Sequence, residues 1–408
     1  MSYVLSNIAW WMQMFGLGWL AVELAVRDGA PELAPFYIGL IGAARAVPAI
    51  AFTILAGAVV DRSERRALLL RSQAAATVLV GILAALAMSG VATIATVMVF
   101  TFLVGVVSSF DAPARQSLLP RLVPREDIMS AVGLQSMAAH ATGIVGSLLA
   151  GLLIAPLGAG GLIMANAVGH LPVILAIALL PAMPPAPSAS RPNVLRSVRD
   201  GLSWIVGDPV VRWVFVVAVC ASLLSRPYLQ LLPAFVANHL RLGPEALSLL
   251  LSLTGVGALV GSTVVASVGA VPGRGRIFLG GALAMAILVA ALGTRSDLAT
   301  SAVLCLVLGA STMLVMGGAS AILQTATPDH LMGRVMAVQV TMFMGLMPVG
   351  QLLLGSLGSV VGIERVYVGA GAVAAVITVA AIRGASRLRE LGLASGPALP
   401  AVAASGAE

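Results

Sequence analysis

From Tyr3 to Val26 the chain carries one charge, Glu23, in a run otherwise made of apolar and a few neutral polar residues. A helix needs about 20 such residues to cross a hydrocarbon core, and the pattern recurs. Further runs lie at Phe36 to Val60, Ala67 to Met88, Val91 to Phe110, Ala131 to Ile154 and Gly161 to Leu180. Six more follow at Val210 to Phe235, Leu247 to Val271, Ile277 to Leu292, Ala299 to Leu323, Val335 to Leu357 and Val366 to Ile382. Lipid satisfies no backbone polar group, so such segments must cross it as helices. The expected fold class is an all-α membrane protein with twelve transmembrane helices. With 59% hydrophobic and 10% charged residues, one aqueous core could not hide the apolar surface.

All 23 basic residues are arginine. Without lysine there is no Walker phosphate loop and no Schiff-base chemistry, which excludes an ATPase engine and retinal or pyridoxal cofactors. The net charge of +7 does not indicate nucleic acid, because the arginines sit in short runs between apolar segments. With both termini placed in the cytoplasm, sixteen of them, among them Arg62, Arg65, Arg66, Arg115, Arg121 and Arg199, fall on the inner side. Only Arg27, Arg241, Arg295 and Arg365 fall outside, as the positive-inside rule requires for a multi-pass cell-membrane protein. Cys220 and Cys305 lie far apart within apolar runs, so neither a disulfide framework nor a metal site is expected. The first run has no basic stretch before it and no small-residue cleavage site, and reads as a retained span.

The chain divides into residues 1–180, a connector at 181–209, residues 210–382 and a tail at 383–408 that reads as disordered. Within the connector, the apolar residues of Val194 to Ile205 recur at helical spacing opposite Arg196 and Arg199, the pattern of a helix lying on the inner leaflet. A shift of 204 residues superposes Pro124 on Pro328, Gln135 on Gln339, Gly146 on Gly350 and Gly151 on Gly355. Two duplicated six-helix halves with a site between them are the architecture of alternating access.

The loop Gly57-Ala58-Val59-Val60-Asp61-Arg62-Ser63-Glu64-Arg65-Arg66 resembles the signature loop of the major facilitator superfamily. The stretches Phe110-Asp111-Ala112-Pro113-Ala114-Arg115-Gln116, Leu119-Pro120-Arg121-Leu122-Val123-Pro124, Ser225-Arg226-Pro227-Tyr228 with Leu232-Pro233, and Pro328-Asp329 with Gly333-Arg334-Val335 are similar to the branch that includes enterobactin and macrolide exporters. The resemblance implies a secondary transporter that exports a small molecule. It also implies an inward gate built on Gly57, Asp61 and Arg62, with Arg65 and Arg66 either joining it or serving as inside anchors.

Beside the resemblance, individual residues carry chemistry. Arg45 falls nine residues into the second span, about 13 Å deep, where a cation needs a partner or a wet cavity. Arg226 precedes Pro227, whose missing amide breaks the seventh span as in helices that line transporter sites. Both arginines suit an anionic substrate, or brace a neighbouring helix. Glu23 carries a coupling proton if burial raises its pKa, or else reaches the interface. His140 and His170 titrate near neutral pH or simply pack. Gln13, Tyr228 and Gln230 face the cavity or bond between helices. Asp111 either caps a new helix before Pro113 or pairs with Arg115 or the signature loop in the gate. Gly143, Gly146, Gly151, Gly345, Gly350 and Gly355 let the fifth and eleventh spans pack closely. Trp10, Trp11, Trp19, Trp204 and Trp213 read mostly as an interfacial belt.

The leading expectation is a proton-coupled exporter of a small amphipathic compound such as a siderophore or antibiotic, monomeric, with protons, substrate and lipid as its partners and no cofactor. An importer or facilitator would share the fold, and a sensor or scaffold would bind without flux. An intramembrane serine protease is disfavoured, because Gly318-Ala319-Ser320 is followed by Ala321 rather than Gly.

Overall fold

In the computed structural model the described residues are 2–52, 59, 63–122, 128–179, 194–268, 273–385 and 388, and among them there are helices and no strand. Helix α1 (Ser2–Arg27) turns at Gly29 (φ 74°) into a short 3-10 turn and α2 (Ala34–Ala51). Glu64 starts α3 (Arg65–Met88) by accepting the amides of Arg66 and Ala67 at 3.1 and 2.7 Å, two of the donors a helix start leaves open. Helix α4 (Ile94–Leu122) follows.

Two expected spans form one element, α5 (Ile128–Ala178), whose limbs meet at Gly158 with φ 66° and ψ −179°. Glycine alone adopts that backbone at little cost, so the chain reverses there without a loop. Helix α6 (Val194–Gly207) forms where the amphipathic pattern places it. Asp208 caps α7 (Pro209–Cys220) through the amides of Val210 and Val211, with proline at the first position, where no amide is needed.

The seventh span is interrupted twice. After α7 comes a π-helical turn, Ala221–Ser225, in which the Arg226 amide reaches back five residues to the Ala221 carbonyl at 2.8 Å. Beyond Pro227, α8 (Tyr228–Ala234) leads into a second π turn, Phe235–Leu240, that ends on Arg241 at φ 56°. Such wide turns recur at functional sites. Five long helices complete the chain: α9 (Pro244–Val268), α10 (Arg274–Gly293), α11 (Leu298–Ala326), α12 (Asp329–Val361) and α13 (Ile363–Gly384).

Nine described helices are long and apolar enough to cross a membrane. One of them, Ala141–Ala178, carries two crossings. Helix α2 runs toward residues outside the described set, and α12 ends in an apolar stretch, Gly345–Val361. The outward band is apolar: Val360 is 82% exposed, Leu179 79% and Val376 70%. In water that would be a liability, and in a bilayer it is the lipid face.

Lipid tails are as apolar as leucine, so the helices hold together by close packing at small residues. Helix α1 lies along α5, α3 packs on α5, α4 packs on α2 and α3, and α9, α10, α11 and α13 form a second set; the two sets meet along α1–α8, α2–α12 and α5–α9. A Cβ built on Gly146 would lie 2.5 Å from the Trp11 Cβ, and one on Gly151 2.5 Å from the Ser252 hydroxyl. Gly143 faces the Trp11 indole at 3.2 Å, Gly350 abuts the Leu223 carbonyl and Gly355 the Pro35 carbonyl, whereas Gly345 has open space.

Two local expectations are corrected. Asp111 does not end its helix or cap a new one, since α4 runs on through Pro113 to Leu122; a proline costs a membrane helix one bond, and neighbouring helices tolerate the loss. Nor do the first three tryptophans form an interfacial belt. Trp19 is 7% exposed, and Trp10 and Trp11 meet edge to face at 5.1 Å, because the glycine face of α5 draws α1 into the bundle.

Candidate functional site

Arg45 lies within α2, three residues before Pro48, with Gly105 of α4 against its backbone. Its guanidinium stands 4.7 Å above the centroid of the Trp10 ring, and Nη1 approaches the Met14 sulfur at 3.7 Å. Trp10 and Met14 are four residues apart on α1 and present one face. The arginine is therefore held by a π-system and a soft sulfur; no carboxylate among the described residues pairs with it. Cation–π contact of this kind contributes about 2 kcal/mol when shielded from water, yet leaves the positive charge uncancelled.

Gln13 is 2% exposed, and its carbonyl accepts from the Asn166 amide on the second limb of α5. Nearly two turns earlier on α1, Asn7 donates to the Thr142 hydroxyl at 2.5 Å. Arg226 is half-buried at the break of the seventh span, where no ion-pair or side-chain hydrogen-bond partner faces it among the described residues. Tyr228 and Gln230 follow at 1% and 6% exposure. Among the described residues the buried Gln230 side-chain carbonyl has no hydrogen-bond partner, the buried Tyr228 hydroxyl has only the Thr254 and Thr312 hydroxyls nearby, which donate to their own helix backbone, and the Tyr228 backbone carbonyl accepts from the Tyr367 hydroxyl at 2.9 Å. Buried polar atoms in that state cost free energy unless a ligand or water meets them.

Glu23 is exposed toward the end of α1, in a cleft of about 550 Å³ that it shares with Trp19, Arg27 and Arg241. It lies three turns along α1 from Trp10. Gly57, Asp61 and Arg62 lie outside the described residues, as do the side chains of Arg65, Arg115 and His140. Arg66 donates to the Ile177 and Ala178 carbonyls at 3.2 and 2.7 Å, closing the end of α5. Asp111 accepts from Gln73 at 2.6 Å.

The contacts between the two helix sets gather toward the end that carries the 3-10 turn. Asn238 donates to the Pro31 carbonyl at 2.8 Å, Gln351 to the Ile38 carbonyl at 2.9 Å, and Ser248 to the Gly151 carbonyl. Gly18 faces Pro233 at 3.0 Å and Gly39 faces the Leu352 backbone at 2.9 Å, each measured from a built Cβ. At the opposite end, α6 reaches α12, with Gly201 facing the Arg334 carbonyl at 3.4 Å.

Side-chain amides bridge the seam of the two sets, Gln351 to the Ile38 carbonyl and Asn238 to the Pro31 carbonyl, as between the halves of an alternating-access carrier. A model of the transmembrane secretion effector family matches residues 1–399. The chain belongs to this family, within the major facilitator superfamily. It is thus a membrane transporter. Among curated relatives, the transporter is 27% identical to the multidrug efflux pump Tap of Mycolicibacterium fortuitum, over 88% of this chain and 89% of the pump. It is 23% identical to the staphyloferrin A transporter of Staphylococcus aureus, over 88% of each chain. The enterobactin exporter EntS of Shigella boydii matches at 23% over 62% of this chain and 61% of the exporter. In fold, the transporter is similar to the nucleoside transporter NupG, with TM-score 0.66 at 11% identity over 94% of this chain and 99% of that one. A bacterial homolog of the human lysosomal transporter Spinster, inward-facing and unoccupied, gives TM-score 0.63 at 13% identity, covering 95% of this chain and 98% of that one.

Three residues of this transporter's polar interior were not singled out from the sequence: Met14, Gln73 and Asn166. Asn166 and Gln73 do carry a signal, since an amide inside an apolar run needs a partner on another helix.

Proposed function

We propose that this transporter is a proton-coupled exporter of a small amphipathic anion, working by alternating access in the cell membrane with both termini cytoplasmic. The observation that supports it best is the Arg45–Trp10 pair, a cation with no carboxylate partner among the described residues, stacked on an aromatic plane. That combination takes an anionic group and an adjoining apolar or aromatic surface together. Residues 1–180 and 210–382 serve as the rocking halves of a monomer, with Arg45 on the first half and Arg226 on the second. The relatives' names, a multidrug efflux pump, a siderophore transporter and a siderophore exporter, support the outward direction and the substrate class. With the arginine-poor end outside, the contacts at Pro31, Ile38 and Gly151 close the outer side, which suits an inward-facing state that loads from the cytoplasm.

The test is energised uptake into inside-out vesicles of a panel of catecholate and citrate-type siderophores, macrolides and cationic dyes, with and without a protonophore. Siderophore accumulation at least tenfold above empty vesicles, abolished by the protonophore and by Arg226→Ala, is expected. Accumulation indifferent to the protonophore would refute proton coupling, and accumulation of cationic dyes alone would refute the anionic site.

A further inference from the structure

At the end of the seventh span, the second π turn gives two neighbouring side chains different partners. Asn238 donates to the Pro31 carbonyl of the first half at 2.8 Å. His239 turns to its own half: Nε2 is 2.9 Å from the Arg295 carbonyl, between α10 and α11, and Nδ1 is 3.9 Å from the Glu364 carboxylate at the start of α13. A carbonyl only accepts, so Nε2 carries the hydrogen of the neutral ring and Nδ1 is bare. Two acceptors then face each other, too far apart for a hydrogen bond. The imidazole also stacks on Phe235 at 5.1 Å, Phe235 stacks on Tyr367 at 5.3 Å, and the Tyr367 hydroxyl donates to the Tyr228 carbonyl beside the break at Arg226.

We infer that His239 and Glu364 form a proton-operated switch on the outer face, which loosens the seam at Pro31 when the outside is acidic; the inference rests on the proposed orientation, which places this end outside. With a proton on Nδ1 the facing pair becomes donor and acceptor. A charge-assisted bond of that kind closes to about 2.8 Å, so the present 3.9 Å separation shortens by about 1 Å. Which side moves is set by the backbone. The start of α13 is packed against α10, where a Cβ on Gly293 would run into the Glu364 carbonyl, and the helix that carries the carboxylate has little freedom to shift. The turn is held less firmly. It is a π turn, a form that seldom extends beyond one turn, and it ends on Arg241 at φ 56°, a left-handed conformation that residues other than glycine rarely adopt. A turn drawn onto its own half leaves the first, and the Asn238 bond to Pro31 is stretched and bent.

Among the described residues Glu364 is the one carboxylate within 4.0 Å of His239. On α13 the next residue, Arg365, is largely exposed, with Nε 4.0 Å from the Glu364 carboxylate and Nη1 donating to the Val361 carbonyl. Between α10 and α11, Arg295 is exposed and Asp297 accepts the Thr300 amide at 2.7 Å. Past the turn lie Arg241 and Glu245, both exposed, and on α1, across the outer cleft, lie Glu23 and Arg27, the second of which donates to the Gly90 carbonyl. The side chains of His239 and Glu364 are 21% and 28% exposed, so water delivers the proton and removes it. Outside acid thus tilts the two halves toward the outward-open form, the one from which an exporter discharges its load and meets external protons.

The alternative is that His239 merely braces the turn against α10 and α13. The full-length protein in nanodiscs separates the two without any substrate, with Cys220→Ala and Cys305→Ala in the background, nitroxide labels attached at positions 32 and 242, and the distance between them read by electron spin resonance. Between pH 8 and pH 5.5, the interval in which histidine changes charge, the longer-distance population is expected to grow about threefold, the scale of losing one hydrogen bond. His239→Gln keeps a donor for the Arg295 carbonyl but takes up no proton, and is expected to remove the pH response. Glu364→Gln keeps size without charge and is expected to cut the response by more than half. In Asn238→Ala the distance should be longer at both pH values, because the bond that the proton loosens is missing throughout. A wild type whose distances ignore pH over this range overturns the switch, as does a full response that persists in His239→Gln or Glu364→Gln. In intact cells a membrane-impermeant thiol reagent should reach cysteines placed at 32 and 242 from outside. If it does not, the outer placement is overturned, a result distinct from the loss of the pH response.

Discussion

Arg45→Ala is expected to lower siderophore export at subsaturating concentration by tenfold or more, with the loss appearing as a raised KM. Tenfold corresponds to about 1.4 kcal/mol, well within what a charged hydrogen bond to an anion contributes. Arg45→Lys should recover little. A lysine ammonium is a compact, strongly hydrated charge that neither stacks on the Trp10 ring nor offers the planar fork that grips a carboxylate. Trp10→Phe should fall between wild type and Arg45→Ala, because a phenyl ring keeps part of the cation–π attraction. Initial rates in inside-out vesicles, normalised to the amount of transporter in the membrane, supply the measurement. An Arg45→Ala protein that reaches the membrane poorly but transports with unchanged KM would make the residue a brace between α1 and α2 rather than a binding group.

Span positions were legible because they depend on composition: the apolar runs and the amphipathic Val194 to Ile205 segment report themselves one residue at a time. The break at Arg226-Pro227 was legible for the same reason, since a proline removes an amide wherever it stands. What depended on tertiary contact was not. Trp10 and Trp11 look like interfacial residues until α5 supplies glycines for them to pack against. Asp111 looks like a cap until Gln73, 38 residues earlier, turns out to donate to its carboxylate. Glu64 is not one of the residue types that usually cap a helix, yet its carboxylate begins α3. The Arg45 site needed Trp10 and Met14 from another helix, and no linear spacing encodes that pairing.

Packing glycines show the same limit and lead to the second large effect. The 204-residue shift points to glycines in the fifth and eleventh spans, but the closest approach between two of the long helices α1 to α13 is between α9 and α11. A Cβ on Gly257 would run into the Leu306 carbonyl, and one on Gly309 into the Thr254 carbonyl; Gly261 abuts the Ala310 carbonyl as well. The two backbones touch reciprocally, in the small-residue manner that substitutes for a hydrophobic driving force within lipid. Gly257→Leu cannot be absorbed by a rotamer change, because the obstacle is main chain on a neighbouring helix rather than a flexible side-chain end. Overpacking a core ordinarily costs about 1–3 kcal/mol, and here the full length of α9 must shift, so a destabilisation at or above the upper end is expected. Gly257→Ala should fall between. Gly280→Leu on α10, where nothing lies within 4 Å of a built Cβ, is the matched comparison and should unfold like the wild type. Thermal unfolding of the three variants in one detergent, followed by the loss of monodisperse protein, orders them directly. Equal stability of Gly257→Leu and Gly280→Leu would mean that α9 and α11 are free to separate, and that the contact is a sliding surface rather than a fixed one.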